Sequence, residues 1–212
     1  MDTEKAPART RNRRGEGGRL RDEIVEAAIA LLDETGDESA VTLRSVARQA
    51  GIAAPSIYRH FPDQPAIMLA VVQKAFTELN ARLRAAMDAA DGPRERLFAA
   101  CHSYLRFALD HPGRYRTMFG GFWTPDLNES SLTEEDLATL GDESKELLAG
   151  VLQDCVTAGV ATSTDLAADA IALWLGLHGL AHQRAASPAF RWPPDIAERV
   201  ITALAHLTDK KA

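Results

Sequence analysis

Residues 51–61 read GIAAPSIYRHF, and Pro55, Ser56, Tyr58, Arg59 and His60 within that stretch have side chains suited to touching nucleic acid. A guanidinium can grip the major-groove edge of guanine with two hydrogen bonds, while hydroxyl and imidazole tips reach sugar and phosphate oxygens. Residues advance by about 100° around an α-helix. If Ile57 and Phe61 face a core, then Pro55, Ser56 and Arg59 face outward, with Tyr58 and His60 flanking them. That order suits a short helix lying in a groove, bases in front and backbone rails to either side. Tyr58 can also brace the core with its ring while its hydroxyl stays wet.

The elements needed to hold such a helix stand immediately before it. Thr42 precedes Leu43, Val46, Ala47 and Ala50, as an N-cap hydroxyl precedes a short amphipathic helix, and Gly51 closes that helix. Ala47 is small where the next helix crosses, and Gly51, four residues on, permits the positive φ of a tight turn. Proline suits the first turn of a helix, so Ala54-Pro55 opens the third. Upstream, Leu20, Ile24, Ala27, Ala28, Leu31 and Leu32 recur at helical spacing until Gly36. Residues 42–61 thus spell a helix-turn-helix carried on a first helix.

Beyond Pro65, Met68, Val72, Phe76, Leu79, Leu83 and Met87 mark a helix of more than twenty residues, ended by Asp91-Gly92-Pro93. A further helix is expected over 93–110, followed by a short one with Tyr115, Met118 and Phe119 and a loop over 120–131. Thr133 leads the acidic first turn of a helix running to Val160, Ser163 or Thr164 caps one ending at Ala185, and Pro194 starts the last. No strand pattern persists, so the chain is expected to be all-α with about nine helices.

The 212 residues, 46% apolar and 25% charged, are enough to bury a core. No apolar run is long enough to cross a bilayer, and the Arg-rich first residues lack the apolar stretch of a secretory signal, which points to the cytoplasm. The net charge of −6 is unevenly placed: residues 1–62 hold ten basic and ten acidic side chains, so all the net acidity lies beyond them. Residues 1–18 read as a disordered basic arm, 19–64 as the helix-turn-helix domain and 65–212 as a second helical domain. Cys101 and Cys155 lie in apolar stretches and read as reduced core residues.

Residues 20–72 resemble the DNA-binding domain of the TetR family of bacterial transcriptional regulators. The stretch that carries the resemblance is TLRSVARQAGIAAPSIYRHFPDQPAIMLAVV, with its G-[IV]-x-x-x-[ST]-[IL]-Y-x-H-F core. The resemblance implies an N-terminal three-helix DNA-binding domain joined to a helical ligand-binding and dimerisation domain. It further implies a homodimer on a palindromic operator of double-stranded DNA, with repression relieved by a small-molecule effector and no cofactor. It places Thr42 on a phosphate, Arg44 near a base or phosphate, Ala54, Pro55, Ser56, Tyr58 and Arg59 at the groove, and His60 on the backbone. Two positions depart from the family. Gln64 stands where many members have a phosphate-binding lysine, and Ala53 offers no hydroxyl to cap the third helix. The basic arm is expected to compensate in the adjacent minor groove.

Trp174-Leu175-Gly176-Leu177-His178-Gly179 is similar to the Trp-x-x-x-His-Gly motif of one branch of the family, and R-Y-R-x-M-F over 114–119 fits the same branch. Small residues Ala170, Gly176, Gly179 and Ala181 permit close helix approach, and in the family the last two helices build the dimer interface. Candidate ligand contacts are Tyr104, Phe107, Tyr115, Met118, Phe119, Phe122, Trp123 and Trp174, with His178 as a polar contact. So few charged candidates favour a largely apolar ligand. His178 and His182, four apart, could chelate a metal on a helix face, but sequence places no third ligand beside them. The alternatives are a small all-α metal-dependent enzyme using His102, His178 and His182, and an interaction protein whose helix-turn-helix is only structural. The enzyme reading lacks a nucleophile elbow and a phosphate-binding glycine loop.

Overall fold

A computed structural model describes residues 17–119 and 125–208. Among these the protein is all-α, its one pairing outside helices being an isolated antiparallel bridge between Ala161 and Leu207. The chain divides into two compact units, one drawn from Met1–Val72 and Phe122–Glu134, the other from Gln73–Gly121 and Glu135–Ala212.

The first unit is built from α1 (Gly17–Thr35), α2 (Leu43–Gln49), α3 (Ala54–Ile57) and the opening turns of α4 (Gln64–Asp88), with a 3-10 turn over Glu38–Ala40. Its core packs Ile24, Ala28 and Leu32 of α1 against Val46, Ile57 and Phe61. Asp63 caps α4 by accepting the Ala66 amide at 2.9 Å. Its second carboxylate oxygen accepts the amide of Ser131 at 2.7 Å, and Leu132 beside it is buried. The loop after α6 therefore belongs partly to this unit, although sequence placed it with the second domain.

The second unit holds the rest of α4, α5 (Pro93–Asp110), α6 (Pro112–Phe119), α8 (Asp142–Thr157), α9 (Leu166–Ala186) and α10 (Ile196–Leu204), with α7 (Glu134–Ala138) beginning at its boundary. Leu79, Leu97, Phe107, Leu152, Leu173 and Leu177 form the centre of its core. The single helix expected over 133–160 is two helices. Between them Gly141 adopts φ +80°, where the ring of Phe76 leaves no room for a side chain. The cap of α9 also differs from expectation. Asp165 accepts the Ala168 amide at 3.1 Å, while Ser163 donates to Asp169 at 2.6 Å. Charge favours this choice, because a carboxylate complements the helix N-terminus better than a hydroxyl.

Small residues on α9 serve two surfaces. A methyl group added at Gly176 would lie 2.3 Å from Leu204 and 3.1 Å from Val200, so this glycine admits α10 of the same chain. Gly179 faces open space, on a stripe with Ile171 and Leu175, which are 47% and 53% exposed.

The Gly141 turn provides a direct check. Gly141→Ala combines a left-handed backbone with a Cβ 2.9 Å from Phe76, and should cost about 1–3 kcal/mol of stability in urea denaturation. An unchanged midpoint would show that the turn relaxes freely.

Candidate functional site

Local hydrogen bonds shape both ends of α2 in the helix-turn-helix. Thr42 and Ser45 form a reciprocal capping box. The Thr42 hydroxyl accepts the Ser45 amide at 3.1 Å, and the Ser45 hydroxyl accepts the Thr42 amide at 2.8 Å. At the other end of α2, Gly51 has φ +65° and the Ile52 amide reaches the Ala47 carbonyl at 2.9 Å. The Gly51 amide reaches Arg48 at 3.1 Å, completing a Schellman motif that turns the chain into α3. The N-cap Ala53 makes no side-chain hydrogen bond, as its chemistry requires.

Regular α-helix lasts only through Ile57. The amides of His60 and Phe61 both bond to the Ile57 carbonyl at 2.9 Å, so Tyr58–His60 complete one tightened turn. Ile57 and Phe61 are buried, Ala54, Pro55 and Arg59 are exposed, and Tyr58 is 58% exposed. Ser56 and His60 are half-buried, so Ser56 stands less far out than helical spacing predicts. The Arg21 guanidinium sits 4.8 Å from the centroid of the Phe61 ring, covering the other side of that anchor.

The exposed face of α2 presents Arg44 and, one turn on, Arg48. Neither these nor Arg59 makes an ion pair among the described residues, so three guanidinium groups stand free in this one helix-turn-helix. Arg48 is a candidate that sequence reasoning passed over, although its i+4 spacing from Arg44 would have found it. Thr42 is exposed, but its hydroxyl already serves the capping box. The Gln64 amide donates to the Glu38 carbonyl at 3.2 Å, so its side chain is tied within the unit rather than held out as a lysine would be.

In the second unit an aromatic cluster surrounds His178. Tyr115 and Trp174 lie 5.7 and 5.6 Å from its ring centroid, and Phe119 meets it edge-on at 5.2 Å. The Tyr115 hydroxyl lies 2.7 Å from His178 Nδ1 and 3.1 Å from the Tyr104 hydroxyl. Burial pushes the Tyr115 phenol up to about 12 and raises that of Tyr104 further, so both stay protonated. Burial, aided by the nearby His182, lowers the pKa of His178. On α6, Arg114 pairs with Glu78 of α4 at 2.5 Å.

Close to this cluster lies a small cavity of about 30 Å³, lined by Tyr104, Trp174, Cys101, Leu148, Leu177 and neighbours. Its polar neighbours are engaged elsewhere. Ser144 donates to Asn80 at 2.6 Å, and Asn80 donates to Glu143 at 2.7 Å. Glu143 is also paired with Arg84, and that hydrogen bond, with the one from Asn80, lowers its pKa. Of the predicted ligand contacts among the described residues, only Tyr104 and Trp174 line the cavity. Phe107 is a fully buried core residue, with its ring 5.2 Å from that of His111. Met118 packs against the core, and Phe122 and Trp123 lie outside the described residues, as does the arm as far as Glu16. Cys101 and Cys155 are free and buried, and burial raises both thiol pKa values, that of Cys155 to about 11.

Residues 24–71 match the family model for bacterial regulatory proteins of the tetR family, and residues 97–207 match that for the tetracyclin repressor-like C-terminal domain. The chain belongs to the TetR family. A nucleoid occlusion factor SlmA from Vibrio campbellii is 28% identical over 100 residues, 47% of this chain and 51% of that protein. An HTH-type transcriptional regulator from Haemophilus influenzae is 30% identical over 116 residues, 55% of this chain and 53% of that protein. The chain thus spans about half the length of the curated relatives it matches. Among solved structures, a protein of unknown function from Rhodococcus sp. RHA1 superposes with a TM-score of 0.72 at 26% identity, covering 92% of this chain and 95% of that one. The regulator FadR of Bacillus subtilis, solved with stearoyl-CoA, has a TM-score of 0.69 at 13% identity, covering 87% and 97%, and so shares the fold.

The matched family is one of bacterial regulatory proteins, and the helix-turn-helix lies within the matched residues 24–71. The metal-enzyme alternative has no support. His102 faces Glu198 at 3.5 Å and stacks on Phe98, whereas His178 bonds to Tyr115. No group of three His, Cys, Asp or Glu side chains among the described residues could hold a metal ion. No helix among them is long and apolar enough to cross a membrane.

The lowered pKa of His178 sets a pH dependence with a definite sign. The unfolded chain takes up a proton near the usual value of 6.5, whereas the folded chain does so only at lower pH. Stability therefore falls as pH drops through that value toward the folded-state pKa. Between about pH 7 and about pH 5.5, His178→Phe should lose less of its urea midpoint than the parent protein. Equal losses would place the titration elsewhere.

Proposed function

We propose that this TetR-family regulator works as a cytoplasmic homodimer that represses transcription from a partly palindromic operator and releases it when a largely apolar small molecule enters the second unit. The observation that carries the DNA half of this reading is the exposed set of Pro55, Tyr58 and Arg59 projected by buried Ile57 and Phe61, beside Arg44 and Arg48 of α2. Arg59 and Arg44 read base edges. Thr42, Tyr58 and His60 contact the sugar-phosphate backbone, Ala54, Pro55 and Ser56 approach the groove, and Gln64 adds a weaker contact than a lysine would. Three guanidinium groups without an ion pair among the described residues, in so small a unit, give each protomer a strong phosphate-seeking charge even though the whole chain is acidic.

One helix-turn-helix per chain offers too few contacts for specific binding, and two half-sites about 34 Å apart call for two copies. The exposed stripe Ile171, Leu175 and Gly179 on α9 supports a partner face: apolar, with a glycine that admits close approach. The effector reading rests on the cavity beside Tyr104 and Trp174, whose polar neighbours are already paired and which therefore favours apolar matter. Met118, Phe119 and His178 stand around the same cluster. Helix α4 joins the two units covalently and is the natural carrier of any change between them.

Three measurements test this reading. Operator fragments selected from random DNA at stated salt should be palindromic. Against variants of that site, Arg59→Ala and Arg44→Ala should each change sequence preference by about 1–3 kcal/mol. His60→Ala should weaken all sites about equally; a uniform loss for Arg59→Ala instead would reverse the assignment of base-facing and backbone-facing sides. Leu175→Arg should convert a dimer to a monomer in sedimentation and abolish tight operator binding. A dimer that survives this change would rule out the α9 stripe as the interface.

A further inference from the structure

Helices α5 and α9 each turn one side toward a shared groove. Leu105, Arg106 and Leu109 fall on one side of α5, and Ala181, Arg184 and Ala185 fall on one side of α9. The groove between them has a volume of about 630 Å³, within the roughly 300–1,000 Å³ of small-molecule sites. It shares no lining residue with the cavity beside Tyr104 and Trp174. Leu105 and Ala181 are buried, whereas Leu109 is 72% exposed, so the apolar lining runs from the core out to the surface.

The charged part of that lining has one sign. Arg106 and Arg184 line the groove together with His102, and no carboxylate among the described residues does so. His102 is engaged, its Nε2 lying 3.5 Å from a Glu198 oxygen. Arg106 is exposed and Arg184 half-buried, and neither makes a hydrogen bond or ion pair among the described residues. A guanidinium that has given up part of its water without gaining an anion is short of partners. Another groove of the same unit, between α4, α5 and α8, shows the opposite balance. Its volume is about 620 Å³, and Asp88, Glu143, Glu146 and Asp154 line it against Arg84 and Arg96. There Arg84 pairs with Glu143, and Arg96 donates to the Ala90 carbonyl at 3.3 Å. Size does not separate the two grooves; charge does.

We propose that the groove between α5 and α9 binds a small organic anion with a broad apolar body, its acidic head held by Arg106 and Arg184 and its body laid against Leu105, Ala108, Ala181 and Ala185. This site goes beyond the effector reading above, and neither depends on the other. Guanidinium groups match the oxygens of a sulfonate, carboxylate or phosphate with paired N–H donors. Alanine at 108, 181 and 185 puts no long side chain in the way of a ring system. A cationic ligand meets two like charges, and a neutral one of the same shape leaves both guanidinium groups without an anion. The arginines thus choose the ligand's head, while the apolar lining chooses its body.

The test uses the full chain and two dyes that share one anilinonaphthalene body, 8-anilinonaphthalene-1-sulfonate and the uncharged N-phenyl-1-naphthylamine. Fluorescence titration should show saturable binding of the sulfonate, one per chain, about tenfold tighter than the neutral dye, the worth of one charge-assisted hydrogen bond. Added salt should weaken the sulfonate and leave the neutral dye alone. Arg106→Gln and Ala185→Glu, both at exposed positions, should each lower sulfonate affinity about tenfold. Neither should change the urea midpoint or the affinity of the neutral dye, and Glu146→Gln in the acidic groove should change nothing. Equal affinity for the two dyes would overturn the anionic head. Sulfonate binding indifferent to both groove variants would put the dye elsewhere and overturn the site. Absence of saturable binding would overturn it too, as would a shift in the sedimentation of Ala185→Glu, which would show the groove to lie between two copies of the chain.

Discussion

Burial of Ile57 and Phe61 is the constraint from which the reading face follows. Two apolar side chains four residues apart, each worth about 1.5–3 kcal/mol when fully buried, force one side of a single helical turn into the core of the first unit. Of the positions between them, Tyr58 and Arg59 then turn outward while His60 stays half-buried. Tyr58 and Arg59 are exposed because their neighbours are not. The Arg21 guanidinium over Phe61 strengthens the same anchor from α1. The capping box on Thr42 and the Schellman turn at Gly51 set the angle at which α3 arrives, so that one local error at either end of α2 would misdirect the whole face.

Much of this was legible because short-range rules govern it. The Thr42 cap, the Gly51 turn and the proline-led third helix are each set by residues within ten positions of one another, and the four-residue spacing of Ile57 and Phe61 marks them for one face. Where the sequence reading failed, the deciding partner lay far along the chain. Nothing near Gly141 says that the Phe76 ring will occupy the space beside it, so the break between α7 and α8 was invisible. Gln64 is bonded to a carbonyl 26 residues earlier, a tie that no local pattern shows. Phe107 is aromatic like Tyr104 and Phe119, and only the packing shows that it is fully buried in the core. Leu148 and Cys101 line the cavity, and no pattern distinguishes them from their buried neighbours. Helical periodicity reports which face is apolar, but not whether that face meets protein or empty space.

The second unit combines two kinds of interior. Leu97, Leu152, Leu173 and Leu177 make a dry aliphatic centre, whereas Tyr104, Tyr115, His178 and Trp174 add a hydrogen-bonded aromatic layer beside it. Such a layer needs every donor and acceptor matched, and α5, α6 and α9 each supply part of the match. The Trp-x-x-x-His-Gly motif acquires a physical meaning here. The tryptophan and histidine rings lie 5.6 Å apart at a tilt, one turn apart on α9, and the Tyr115 hydroxyl of α6 lies 2.7 Å from the histidine Nδ1.

The bond from Ser131 to Asp63 bears on how this architecture can be cut. The carboxylate that starts α4 is shared with a strand of chain nearly seventy positions later, and Leu132 is buried next to it. A fragment ending at Val72 would keep all three helices of the reading head yet lose that second clasp. Recombination that exchanges one head for another at the α4 junction would therefore transplant an incomplete piece, unless the stretch around Ser131 travelled with it.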